Sequence, residues 1–196
     1  MARTGLTPTQ IQERAIDVTI EQMRRYGFEK VRVVDVAKEL GVSHAAIYKH
    51  FADKDALFDA VSNRWLKAIE TILAAILSKK KDPIAKIHEW FLKLYQMKRE
   101  KVLDDPELYK SFHFAANAKR PFYNDHLNKM FEQLTGLIKE AQAEKKLAKH
   151  SVEKTLRILL EATTGFHNPA LIARHLREKR EPVLKQILDA VIDGLS

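Results

Sequence analysis

Apolar residues return every three or four positions along most of the chain, and this spacing constrains the fold more than any other feature of the sequence. Leu57, Val61, Trp65, Ala68, Ile72 and Ile76 follow one helical face, as do Ile84, Ile87, Phe91 and Leu94. The pattern continues through Leu127, Phe131, Leu134 and Ile138, then through Val152, Leu156, Leu159 and Thr163. It ends in a broad stripe of Leu184, Ile187, Leu188, Val191 and Leu195. With 6 Gly and 6 Pro in 196 residues, turns are too scarce for a sandwich or barrel that reverses about every ten residues. The chain is expected to be all-α, with about nine helices.

Prolines mark several of the helix starts. Asp82-Pro83, Asp105-Pro106 and Asn168-Pro169 each set a capping side chain before a residue whose fixed φ and missing N–H suit the first turn. Pro121 and Pro182 are read the same way behind poorer caps, Arg120 and Glu181. The stretch from Val31 to Val36 has the β-branched composition of a strand. Its continuation to Leu40 carries helical spacing and stops at Gly41, which predicts a short helix entered from an extended lead-in.

The sequence contains no cysteine, so disulfides, thiolate metal sites and cysteine nucleophiles are excluded. No apolar run is long enough to cross a bilayer, and residues 1–5 lack a signal-peptide core; a cytoplasmic protein with no membrane role is the expectation. The formal charge of +8 suggests nucleic acid, but residues 1–60 hold nine basic and nine acidic side chains, so the excess lies entirely after Ala60. Any DNA contact made by the first part must come from local arrangement. The later excess leans toward an anionic ligand, although solvated surface lysines give the same count.

Leu40-Gly41-Val42-Ser43 is a compact turn signal. Gly41 can take the left-handed conformation that ends one helix, and Ser43 can cap the next. A short helix, a glycine turn and a second short helix make a helix-turn-helix. In the second helix Ile47 and Phe51 are expected inside, leaving Ser43, His44, Ala45, Tyr48 and Lys49 outward.

In its wider setting this segment resembles the tetracycline-repressor (TetR) family of bacterial regulators. The resemblance rests on Met23-Arg24-Arg25-Tyr26-Gly27-Phe28, on the run from Val34 to Ser43, on Ala46-Ile47-Tyr48-Lys49-His50-Phe51 and on Asp53-Lys54-Asp55-Ala56-Leu57. It covers less than a third of the chain. The resemblance implies a three-helix DNA-binding domain over residues 1–54 and a larger helical ligand-binding and dimerisation domain over 55–196. It implies a DNA-contacting set of Arg32, Ser43, His44, Ala45, Ala46, Tyr48, Lys49, His50 and Lys54, with the second short helix in the major groove and Tyr48, His50 and Lys54 near phosphates. Arg32 stands where the family often has Thr, so it can reach a phosphate but cannot cap its helix as a hydroxyl would.

The remaining chain holds most of the aromatics, interleaved with polar groups. A small-molecule pocket needs such a mixture, and Trp90, Tyr95, His113, Asn117, Phe122, Tyr123, Phe166 and His167 are the candidate ligand-binding residues. The stripes after Ser151 are the candidate surface of a homodimer, which a lone module of this size needs for tight reading of operator DNA. No two of the eight histidines lie three or four apart, no phosphate-binding glycine loop occurs and no Gly-x-Ser-x-Gly motif is present. Neither a metal, a cofactor nor an enzymatic activity is expected. The resulting reading is a ligand-responsive transcriptional regulator, a repressor released from its operator by an effector whose identity the sequence does not give, with the helix after Lys54 as the lever. The alternative is a helical small-molecule or lipid carrier without operator binding.

Overall fold

The computed structural model describes residues 5–196, and no strand occurs among them. Eleven α-helices follow in order: α1 Pro8–Tyr26, α2 Val33–Leu40, α3 His44–Tyr48, α4 Lys54–Leu77, α5 Pro83–Asp104, α6 Pro106–Asn117, α7 Pro121–Ala143, α8 Val152–Ala162, α9 Thr164–His167, α10 Pro169–Arg174 and α11 Glu181–Leu195. A single 3₁₀ turn, Phe28–Lys30, lies between α1 and α2. The count exceeds nine because the backbone breaks at Thr163 and restarts at Asn168, cutting α9 and α10 into short pieces.

The caps explain where most helices begin. Thr7 and Gln10 form a reciprocal box, the Gln10 N–H donating to Thr7 Oγ1 and the Thr7 N–H to Gln10 Oε1. Asp82 Oδ1 accepts from the N–H groups of Ile84 and Ala85, and Asn168 Oδ1 from those of Ala170 and Leu171. Asp105 departs from the expectation. It occupies the capping position but makes no side-chain cap, because its carboxylate is held by the Arg24 guanidinium instead. Val31 and Arg32 are extended, and α2 follows them; the β-branched residues of this segment become helical because Val33 and Val36 then bury with Ala37. Gly41 closes α2 at φ +69, in the left-handed region where a Cβ is costly.

The chain forms two compact units, and they do not follow a single cut at residue 54. One contains the chain up to Leu66 together with Asp105–Tyr123; the other contains Lys67–Asp104 and Asn124–Ser196. In the first, Ala15, Met23, Val36, Ile47, Phe51, Leu57, Val61 and Leu108 form one core. Helix α6 belongs here because polar ties join it to the N-terminal helices. Arg24 grips Asp105 at 2.6–3.2 Å, the Phe28 N–H donates to Glu107 at 2.7 Å, and Arg120 donates twice to Asp59 at 2.6 and 2.8 Å.

In the second unit α5 packs against α9, α10 and α11, and α8 packs against α11. Ile69, Leu73, Ile87, Trp90, Leu134, Leu159, Leu184 and Leu188 are fully buried. The C-terminal stripes are therefore divided: Leu159, Leu184, Leu188 and Leu195 fill this unit's own core, while Val152, Leu156, Ile187 and Val191 remain half-buried and Val183 is exposed.

Candidate nucleic-acid interface

The first unit places α3 on a short, sharply defined pedestal. Ser43 caps it, accepting from the Ala46 N–H at 3.2 Å, and Ile47 and Phe51 anchor its inner side in the core. Burying those two side chains fixes the rotation of the helix and determines what faces outward. His44, Ala45, Tyr48 and Lys49 are exposed, while Ser43, Ala46 and His50 are half-buried beside them. The Tyr48 and His44 rings meet edge to face at 4.7 Å, which holds both aromatics on the outer side. Two small residues, Ala45 and Ala46, leave the backbone open to close approach.

Two cations flank this helix in the chain. Lys54 begins α4, and its ammonium rests over the Phe58 ring at 4.9 Å from the centroid. Phe58 packs on Phe28 at 5.2 Å, so the ring beneath the Lys54 ammonium is itself held in place. Arg32 immediately precedes α2 and makes no side-chain cap; its Nε donates to Asp35 at 2.7 Å on an exposed surface. Pairs of this exposure contribute about 0–1 kcal/mol, weak enough for a phosphate to displace the carboxylate. Arg32 also borders a groove of about 610 Å³ with Gln22, Tyr26, Lys30, Asp35, Lys38 and Glu39, a polar depression that the sequence did not reveal.

The eight residues read as ligand contacts fall into two groups. His113, Asn117, Phe122 and Tyr123 lie in the first unit, where Asn117 Nδ2 and His113 Nε2 are 3.4 Å apart and Tyr123 packs on Phe112 at 5.8 Å. Burial pushes the Tyr123 phenol above its ordinary range. Trp90, Tyr95, Phe166 and His167 lie in the second unit. There Tyr95 and Phe166 meet edge to face at 5.6 Å, while Trp90 is buried against Phe91 with its N–H donated to Gln133 at 3.0 Å.

Two features of the second unit were not legible in the sequence. His126 is buried and bonds Glu70 Oε1 through Nδ1 at 2.8 Å, with Lys129 on the other carboxylate oxygen. Burial, aided by the charges of Lys98 and Lys129, holds this imidazole down to about 4 against the pull of Glu70. Lys98 is also buried and donates to the His167 carbonyl at 2.8 Å; burial lowers it to about 8. His167 is likewise held down to about 4, by burial first and the Lys98 charge second. Among the described residues no group of three or more His, Asp or Glu is placed to hold a metal ion, and no helix is long and apolar enough to cross a membrane.

The arrangement around α3 agrees with what sequence comparison finds. The model for bacterial regulatory proteins of the tetR family matches residues 15–61, and the model for the tetracyclin repressor-like C-terminal domain matches residues 83–188, more than half of the chain. The chain belongs to the tetR family of bacterial regulators. It is 28% identical over 123 residues to the nucleoid occlusion factor SlmA of Vibrio atlanticus (strain LGP32), a match covering 62% of this chain and 60% of that protein. Its fold is similar to a putative transcriptional regulator of Pseudomonas aeruginosa PAO1, with a TM-score of 0.70, 19% identity and coverage of 99% and 94% of the two chains. It is also similar to the regulator FadR of Bacillus subtilis, solved in complex with stearoyl-CoA, with a TM-score of 0.66, 14% identity and coverage of 94% and 99%.

Proposed function

We propose that this TetR-family protein is a ligand-responsive repressor that reads operator DNA through α3 and is released by a small-molecule effector. The observation that carries the reading is the division of α3: Ile47 is buried, while His44, Ala45, Tyr48 and Lys49 form an outward row that no other part of the core requires. A helix so held presents a rigid strip to the major groove, where base edges can be told apart. Arg32, Ser43, Ala46, His50 and Lys54 supply the surrounding contacts, chiefly to phosphates, which fix register without reading sequence. Residues 1–54 carry this reading function, and the effector and dimer functions fall to residues 55–196.

Because the reading strip is short, a homodimer doubles it, and the half-buried Val152, Leu156, Ile187 and Val191 on α8 and α11 are the apolar surface available for that pairing. The solved relative bound to stearoyl-CoA supports effector binding as a property of this fold. An effector that binds one conformation of the dimer better than the other shifts the population between DNA-competent and released states.

Selection of bound duplexes from a random pool, followed by a mobility-shift assay on the enriched sequence, tests the reading. A two-fold symmetric site bound far more tightly than scrambled DNA is the expected result. Failure to enrich any sequence refutes it and leaves a helical carrier as the better description.

A further inference from the structure

The groove beside Arg32 lies wholly within the first unit, between the end of α1, the 3₁₀ turn and α2. Buried valines set its charges. Val31, 2% exposed, stands between Lys30 and Arg32, and its burial in an extended stretch turns both cations outward. Val33, Val36 and Ala37 bury the inner side of α2, which leaves Asp35, Lys38 and Glu39 to line the groove. Across from them α1 supplies the buried Gln22 and the 52% exposed Tyr26, with the Arg25 guanidinium 5.8 Å from the centroid of the Tyr26 ring.

The lining is mixed in charge, and its acids and bases are used unequally. Asp35 accepts from Arg32 on Oδ2 at 2.7 Å, and Glu39 accepts from the Gln22 amide on Oε2 at 2.8 Å. Among the described residues the second oxygen of each carboxylate has no partner, and the ammonium groups of Lys30 and Lys38 pair with no carboxylate. The groove therefore offers three cations, two vacant carboxylate oxygens and one exposed aromatic ring around about 610 Å³, a volume within the range of about 300–1,000 Å³ usual for small-molecule sites.

We propose that this groove is a second ligand site, separate from the effector function of residues 55–196, and that it takes a nucleotide with its phosphate on Lys30, Arg32 and Lys38 and its base on Tyr26. A phosphate monoester brings nearly two negative charges to three cations, and the Arg32 fork suits its oxygens. A bare anion fits poorly, because it repels Asp35 and Glu39 and donates nothing to them. The hydroxyl and amine groups of a nucleoside are donors for those two vacant oxygens, and its base has a π face for Tyr26. The backbone of a DNA duplex can meet the same cations, but it presents only acceptors and leaves both carboxylates unserved. The inference concerns the chain without DNA and stands apart from the regulator reading.

The test is calorimetric titration of the full chain at physiological salt with adenosine monophosphate and guanosine monophosphate, each against its nucleoside, and with inorganic phosphate. At least one nucleotide is expected to bind ten times or more tightly than its nucleoside and than inorganic phosphate. Lys30→Ala and Lys38→Ala are each expected to weaken that binding at least fivefold and Tyr26→Leu about tenfold. Lys139→Ala, which removes one exposed charge from the second unit, is expected to stay within twofold of the natural chain. All four side chains are exposed, and circular dichroism confirms that the variants fold. No binding of either nucleotide, nucleoside or inorganic phosphate bound as tightly, an unaffected Tyr26→Leu, or an equal loss in Lys139→Ala overturns the inference. So does a loss in Lys30→Ala and Lys38→Ala seen only in anisotropy titrations with random duplex DNA, which makes the DNA backbone the partner of these cations.

Discussion

Acid should unfold this protein earlier than its carboxylates alone would require, and His126 sets the size of the effect. The imidazole is 1% exposed, held down to about 4, and neutral at pH 7. Once the chain unfolds, the same side chain titrates near its ordinary value of about 6.5. Between these two values the unfolded state binds a proton that the folded state refuses, so the contribution is complete above pH 6.5 and is lost as pH falls toward 4. The gap, at about 1.36 kcal/mol per pH unit, caps the loss at about 3 kcal/mol, and the share lost between pH 7 and pH 5 is about 2 kcal/mol. His126→Gln keeps a donor toward Glu70 and removes the titration. Urea unfolding at fixed protein concentration, at pH 7, 6 and 5, should show the natural chain losing about 2 kcal/mol more than the variant over that range. Parallel losses in the two proteins would refute the burial argument. His167 acts in the same sense, its imidazole also held down to about 4, by burial first and the Lys98 charge second.

Lys54→Ala should weaken binding to selected and random DNA alike and reduce the log–log salt slope by about 0.9, read by fluorescence anisotropy at several salt concentrations. Arg24→Ala removes the fork to Asp105 and should lower urea stability by about 1 kcal/mol, the partial exposure of Arg24 limiting the loss. Ser43→Ala deletes the α3 cap and should cost about 1 kcal/mol by the same measurement, with a further loss of DNA affinity as the helix frays. Leu159→Ala, at a fully buried position on α8, should cost about 2–5 kcal/mol.

The sequence carried the local structure well wherever one residue decides it. Gly41 and Ser43 marked the turn into α3, and the Asp82-Pro83 and Asn168-Pro169 pairs marked helix starts, because capping is settled within three or four residues. Asp105 shows the limit. Its local role as a cap was plausible, but a guanidinium 81 positions earlier in the chain takes the carboxylate, and no periodicity encodes that meeting. The same holds for Glu107 and Arg120, which bring α6 into the first unit. Apolar spacing shows that α8 and α11 have buried faces, but not which residues go to their own core and which remain at the surface. Lys98 was invisible for a related reason: a lysine at helical spacing ordinarily reads as solvent-facing, and its burial, with its ammonium on the His167 carbonyl, comes from packing between helices distant in the chain.

The placement of α3 in the major groove is most directly tested by methylation interference on the selected site. Methylation of guanine N7 within two symmetric half-sites should block binding, and Tyr48→Ala should weaken the complex without moving those positions. Undiminished binding to N7-methylated DNA, or interference confined to adenine N3 in the minor groove, would contradict the account.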